Sequence, residues 1–249
     1  MVIKYGGNAM TDPLTRAAVA ARLGELASTG TPPVVVHGGG PFINEALDRA
    51  GLEHQFIRGL RVTSQAAMTI IEQVLTVLGK HLADEIGPAV ALTGRDAGLL
   101  LAKVASDELG LVGHMTGVDT RALSALRGAG LVPVLACIAG DGAGGVLNVN
   151  ADEVAGAVAA KLLEGVCFLS NVPGVLDDPS DHTSLLSELT RADIETRIAD
   201  GRIVGGMIPK VEAALTALGY GAPFAVIADG RDPAGVAAAL AGGGTRIWP

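Results

Sequence analysis

Cysteine is scarce in this chain: Cys137 and Cys167 are its only two in 249 residues, each inside an apolar, strand-like run. Such thiols read as buried groups and not as a disulfide framework, which suits a cytoplasmic protein. The five histidines (37, 54, 81, 114 and 182) are dispersed, and no His-Glu-x-x-His occurs, so no metal-ligating set is expected. Aromatic residues make up 3% of the chain, which argues against an aromatic-rich β-barrel. Basic residues are outnumbered 18 to 26, for a net charge of −8, so neither nucleic acid nor an anionic membrane surface is an expected partner. No apolar run is long enough to span a bilayer, and no charged leader precedes an apolar segment. Gly-x-x-x-x-Gly-Lys-Ser/Thr and Gly-x-Ser-x-Gly are both missing, which sets aside a P-loop nucleotidase and a nucleophile elbow. Residues 140–145 match Gly-x-Gly-x-x-Gly, but a strand-like run follows them instead of a helix, so the dinucleotide-binding context fails.

What the chain does have is small aliphatic residues and 35 glycines at turn positions. Apolar β-branched runs near residues 2–3, 34–36, 89–92, 132–138, 146–149, 166–169, 224–228 and 244–248 predict strands. Helical patterns fall over about 13–29, 42–51, 64–86, 120–129, 152–163, 190–201, 206–219 and 233–241. Asp12 and Ser64 stand as N-caps, and the Gly30-Thr31-Pro32-Pro33 turn closes the first helix. Residues 55–62 read as a hairpin with Arg61 near its tip, and 99–116 as antiparallel strands. Strands alternating with helices require crossover connections and an open, mainly parallel α/β sheet with helices on both faces, a three-layer sandwich. The expectation is a single domain over 1–249 with an N-terminal lobe to about 165 and a C-terminal lobe from 166, sharing one sheet.

In a parallel sheet the functional groups gather at the carboxyl ends of strands. Lys4, the glycines at 38–40, the turn at 93–96 and Asn171 all fall there. Lys4-Tyr5-Gly6-Gly7 delivers a lysine into a paired-glycine turn, which suits an anion but equally an ordinary turn with a surface lysine. Asn148, Asn150 and Asp152 share one side of an extended segment; an N-cap role accounts for Asp152 alone. Lys210 follows Gly205-Gly206 in the first turn of a helix, where a cation is unfavourable unless it is exposed or an anion offsets it. Two lysines, glycine turns and an arginine, with few bases or nucleophiles, suit phosphoryl transfer.

Five segments carry a resemblance: Lys4-Tyr5-Gly6-Gly7-Asn8-Ala9-Met10, His37-Gly38-Gly39-Gly40-Pro41, Gly59-Leu60-Arg61-Val62-Thr63, Asn148-Val149-Asn150-Ala151-Asp152 and Gly205-Gly206-Met207-Ile208-Pro209-Lys210. In this order they resemble the N-acetylglutamate kinases of the amino-acid kinase fold, nearly end to end. The resemblance implies ATP-dependent phosphorylation of the γ-carboxylate of N-acetyl-L-glutamate in arginine biosynthesis, with Mg²⁺ arriving on the nucleotide. It implies that Lys4 and Lys210 stabilise the moving phosphoryl group while Asp152 orients both ammonium groups. Gly39, Gly40, Arg61 and Asn148 would bind the amino-acid substrate, Arg61 through its α-carboxylate. Lys4, Gly6, Gly7, Asn171, Gly174, Gly206 and Lys210 would hold the nucleotide. Departures are Asn171 and Ser64 where the family commonly has Asp, and His114 where it has Glu. Arginine-inhibited relatives carry a helix before the first strand, so the expectation is a homodimer paired through the 64–86 helix and insensitive to arginine. A sister kinase acting on a carrier-protein-linked aminoadipate or glutamate in lysine biosynthesis, and a non-catalytic amino-acid-binding module, are the competing readings. The second of these predicts loss of Lys4, Lys210 or Asp152, and all three are present.

Overall fold

Val2 and Ile3 are neighbours in sequence but belong to two different cores, because successive strand residues point to opposite faces of a sheet. The computed structural model describes residues 1–28, 30, 32–178, 180–181, 183–231 and 233–249. Thr31 of the turn after the first helix, Thr29 at that helix's predicted end, and Pro179 and His182, in a stretch over 177–184 whose Asp, Ser and Pro content predicts a polar loop, lie outside them.

Strand β1 (Val2–Tyr5) leads through a tight turn at Gly7–Met10 into helix α1 (Pro13–Ala27), and β2 (Val34–His37) leads into α2 (Gly40–Arg49). The hairpin β3 (Phe56–Ile57) and β4 (Leu60–Arg61) precedes the long α3 (Gln65–Ile86) and β5 (Ala89–Thr93). Then come β6 (Leu100–Val104), β7 (Val112–Val118), α4 (Arg121–Gly128), β8 (Val132–Ala136), β9 (Ile138–Gly140) and β10 (Val146–Val149). Helix α5 (Ala151–Leu162) and β11 (Val166–Ser170) are followed by β12 (Glu188–Thr190), α6 (Arg191–Ala199) and α7 (Ile208–Tyr220). The chain closes with β13 (Ala225–Asp229), α8 (Pro233–Leu240) and β14 (Thr245–Trp248).

Eight strands form the central sheet in the order β12-β14-β13-β11-β1-β2-β8-β5. All neighbouring pairs are parallel except β13 with β14. On one face α1, α8 and the C-terminal half of α3 bury Ile3, Val35 and Val226; on the other α5 and α7 bury Val2, Val36 and Ile227, in a core that runs on to the N-terminal half of α3. The three-layer α/β class read from the sequence is the one observed.

Three local features differ from the sequence reading. The predicted strand over 132–138 breaks at Cys137: β8 stays in the main sheet, and β9 joins β10, β7 and β6 in a small closed barrel. Nothing in the apolar pattern distinguishes a strand that changes sheets from one that continues. The hairpin tip is Arg58–Gly59, both with positive φ (50° and 80°), as a two-residue turn of the I′ type requires. Arg61 sits one pair in from the tip, opposite Phe56, with its side chain buried. Strand β12 was not anticipated, being three residues at a sheet edge in a polar context.

The caps do follow the sequence. Asp12 accepts from Thr15 N–H at 2.8 Å and Ser64 accepts from Ala67 N–H at 3.2 Å, opening α1 and α3.

Candidate active site

The sheet changes direction of growth at β1. Its neighbour β2 begins the run to β5, whereas its other neighbour β11 begins the run to β12. The carboxyl ends of β1 and β11 therefore open a crevice of the kind in which α/β folds take ligands. Lys4 stands at the end of β1, level with Phe168 of β11, and Ser170 and Asn171 lie just beyond it.

Two glycine turns meet at this point. Gly38 N–H bonds to the Tyr5 carbonyl at 3.4 Å, and a Cβ on Gly6 would lie only 3.1 Å from the Gly38 nitrogen. A side chain at Gly6 would push the loops after β1 and β2 apart. Gly7 adopts φ 67°, a left-handed conformation that a residue with a Cβ rarely takes. Gly39 answers to packing: a Cβ there would come within 2.7 Å of Leu75 on α3. Gly40 faces open space at the start of α2.

Asp152 reaches this crevice because it is not the cap of its helix. Asn150 is: its side-chain oxygen accepts from Asp152 N–H at 2.7 Å. That leaves the Asp152 carboxylate, in the first turn of α5, to bond Lys4 Nζ at 3.0 Å. Opposite, Lys210 lies in the first turn of α7 and donates to the Gly206 carbonyl at 2.9 Å. Burial pushes the Lys210 ammonium below its ordinary pKa, the nearby Lys4 charge pushes it further, and Asp152 partly restores it. Asp152 makes no ion pair with Lys210 among the described residues, so in this structure it orients one of the two ammonium groups.

These groups line a cleft of about 350 Å³ with Gly6, Gly7, Ser170, Asn171 and Pro209. A second cleft of about 460 Å³ shares Asn171 and Lys210 with it and continues past Gly174, Arg202, Gly206 and Arg231. Ser170 and Arg202 fall within the stretches the resemblance gives to the nucleotide, 170–174 and 177–210, without an individual role, and Arg231 lies outside both. The three reach the cleft through the packing of β11, the loop before α7 and the loop after β13.

The remaining residues form a separate group. Arg61 donates to Asn44 Oδ1 on α2 at 2.6 Å, while its buried Nη1 has no hydrogen-bond partner. Burial lowers its pKa, and no carboxylate lies within ion-pair distance among the described residues. Asn148 donates to Thr63 Oγ1 at 3.3 Å, and Thr63 in turn donates to the Arg61 carbonyl at 2.8 Å. Gly39, Gly40, Arg61 and Asn148 line neither lysine cleft, and nor does the turn at 93–96, where the Asp96 carboxylate is taken up by Thr93. Asn44 and Thr63 went unassigned in the sequence; Thr63 was quoted only as part of a motif.

No group of three or more His, Cys, Asp or Glu able to hold a metal ion occurs among the described residues, and no helix there is long and apolar enough to cross a membrane.

Comparison with known proteins adds to this geometry. The model of the amino acid kinase family matches residues 1–229. An acetylglutamate kinase of Deinococcus radiodurans is 53% identical over 251 positions, covering 100% of each chain. An acetylglutamate kinase of Jannaschia sp. is 41% identical, covering 94% of this chain and 83% of its own length. A solved protein of Streptococcus mutans UA159 superposes with a TM-score of 0.80 at 27% identity, over 99% of this chain and 97% of that one.

Proposed function

The chain belongs to the amino acid kinase family, and from that premise we propose that it is an acetylglutamate kinase, transferring the terminal phosphoryl group of ATP to the side-chain carboxylate of N-acetyl-L-glutamate in arginine biosynthesis. The observation that carries the reading is the crevice at the ends of β1 and β11, where Lys4, bonded to Asp152, faces Lys210.

A carboxylate oxygen of the acceptor attacks the γ-phosphorus, the bond to the bridging oxygen of ADP breaks, and an acyl phosphate forms. The acceptor, with a carboxyl pKa of about 4.3, is already ionised near neutral pH. No general base is needed, which accounts for a site rich in cations and poor in bases. Lys4 and Lys210 meet the charge that spreads over the transferring oxygens, a contribution available mainly in the transition state. Asp152 keeps the Lys4 ammonium aimed into the crevice. The amides around Gly6 and Gly7 approach the phosphates, and the cleft through Asn171, Gly174 and Gly206 takes the rest of the nucleotide. Mg²⁺, which helps neutralise the phosphates, would come with ATP; the described residues offer no acidic cluster for it, and the Asp152 carboxylate in the crevice already serves Lys4.

Arg61, buried and with Nη1 unsatisfied, is suited to the α-carboxylate of the acceptor, because a desolvated guanidinium gains most from a bidentate anion. Asn148, tied to Arg61 through Thr63, and the Gly39–Gly40 turn complete the acceptor side. In this reading residues up to about 165 carry the acceptor and those from 166 the nucleotide. Pairing of two copies through α3 and localisation in the cytoplasm complete the proposal.

Coupled detection of ADP release tests the assignment. With ATP and Mg²⁺, ADP should appear with acetylglutamate and not with glutamate or aspartate. Turnover of carrier-linked aminoadipate in place of free acetylglutamate would overturn it.

A further inference from the structure

The first turn of α5 holds a second carboxylate beside Asp152. One oxygen of Glu153 accepts from the main-chain N–H of Met115 at 2.8 Å and from the Tyr220 hydroxyl at 2.6 Å, and it lies 2.6 Å from Nδ1 of His114. These partners come from two other elements. Met115 and His114 belong to β7 of the small barrel, whose neighbour β10 carries Asn148; Tyr220 ends α7, whose first turn carries Lys210. The Glu153 side chain is only 16% exposed, so its partners cannot readily exchange it for water. His114 gives Glu153 a hydrogen-bond partner where a second carboxylate would repel it.

We propose that Glu153 is a positioning residue for phosphoryl transfer: it locks the helix start bearing Asp152 to the barrel on the acceptor side and to the helix that carries Lys210. The inference rests on the kinase reading above. Helices α5 and α7 already touch at Gly156, where a Cβ would come within 2.8 Å of the Ala217 Cα. That contact sets how close the two helices lie but leaves them able to slide along one another. The Glu153–Tyr220 bond opposes the slide. A helix moves lengthwise as a rod, so a displacement at Tyr220 reaches Lys210 with little loss. Phosphoryl transfer is sensitive to such offsets, since misplacing a reacting group by about 1 Å can cost about a hundredfold in rate.

Kinetics of Glu153→Ala, Glu153→Gln and Tyr220→Phe, measured well below each variant's Tm, test this. In Glu153→Ala, kcat should fall about tenfold or more while KM for ATP and acetylglutamate stays within about threefold. Glu153→Gln keeps an acceptor oxygen for Met115 N–H and Tyr220 O–H, and should recover kcat to within about threefold of the parent. A Glu153→Ala protein that loses Tm but keeps kcat would reduce Glu153 to a structural role and overturn the proposal, as would a Gln variant as slow as the Ala variant. Should Glu153→Ala fail to fold, Tyr220→Phe decides, because it removes one hydroxyl and keeps the ring. Its kcat should fall several-fold at unchanged KM, and full kcat would overturn the proposal. If the parent itself releases no ADP with acetylglutamate, the kinase reading fails and this inference with it; if the parent turns over and the variants keep pace, only this inference fails.

Discussion

Lys4 and Lys210 share a crevice but not a set of partners. Asp152 holds the first, while the second leans on the Gly206 carbonyl and carries a depressed pKa. A cation kept partly desolvated beside another cation is costly in the free protein and is relieved when an anion arrives. Lys210→Ala should therefore lower kcat by about 10²–10³, the loss typical of removing one charge-stabilising donor, with a smaller change in KM for ATP; steady-state kinetics reads both. Asp152→Asn keeps the size of the side chain and removes its charge, so kcat should fall again while the fold, followed by far-UV circular dichroism, stays intact. As candidates these residues were legible in their motifs: glycine turns beside Lys4 and Lys210, and the Asn-x-Asn-x-Asp strip ending at Asp152. The pairing of Lys4 with Asp152 followed only from the resemblance and from nothing in the local pattern, because the two lie far apart in the chain and only the packing brings them together.

At the scale of the element, α5 depends on a cap. Asn148, Asn150 and Asp152 read in sequence as one strip on one side of a segment. In the fold they divide the work: Asn148 bonds Thr63 from the end of β10, Asn150 caps α5, and Asp152 reaches Lys4. Asn150→Ala should cost about 1 kcal/mol of stability, the usual penalty for losing an N-cap side chain. It should also reduce kcat, since the first turn that carries Asp152 would fray. Urea unfolding and turnover, measured together, check both effects. A Ser64→Ala change at the start of α3 should cost a similar amount of stability and leave kcat alone, because that cap carries no group of the crevice.

For the molecule as a whole, the buried His37 links stability to pH. It is fully buried at the end of β2, with Nδ1 3.2 Å from the Gly38 carbonyl and Nε2 unpartnered. Burial pushes its pKa down to about 4 from the ordinary 6.5. The folded state thus keeps the ring neutral where the unfolded chain already binds a proton. Its contribution is complete above pH 6.5 and is lost as pH falls toward 4, by an amount on the order of 3 kcal/mol. Urea midpoints at pH 5 and pH 7.5 should differ less in His37→Leu than in the parent. The outer surface of the molecule offers a second test. Phe42, Val74, Val77 and Leu78 line an apolar cleft of about 520 Å³ between α2 and α3, and Val77 is 54% exposed. Light scattering should give twice the monomer mass for the parent, and Val77→Asp, by placing a charge in that face, should return the monomer.

Local chemistry reaches a long way in this chain. The strand and helix alternation, the caps at Asp12 and Ser64 and the glycine turns were legible because each depends on a few adjacent residues and their backbone preferences. Contacts across the chain were not. The departure of β9 into a barrel with β6, the seating of Arg61 against Asn44 and the three-way bond of Glu153 all join segments distant in sequence. Periodicity records which face of an element is apolar. It carries no information about which other element will meet that face, and the Lys4–Asp152 pair facing Lys210 exists only once β1, α5 and α7 have packed together.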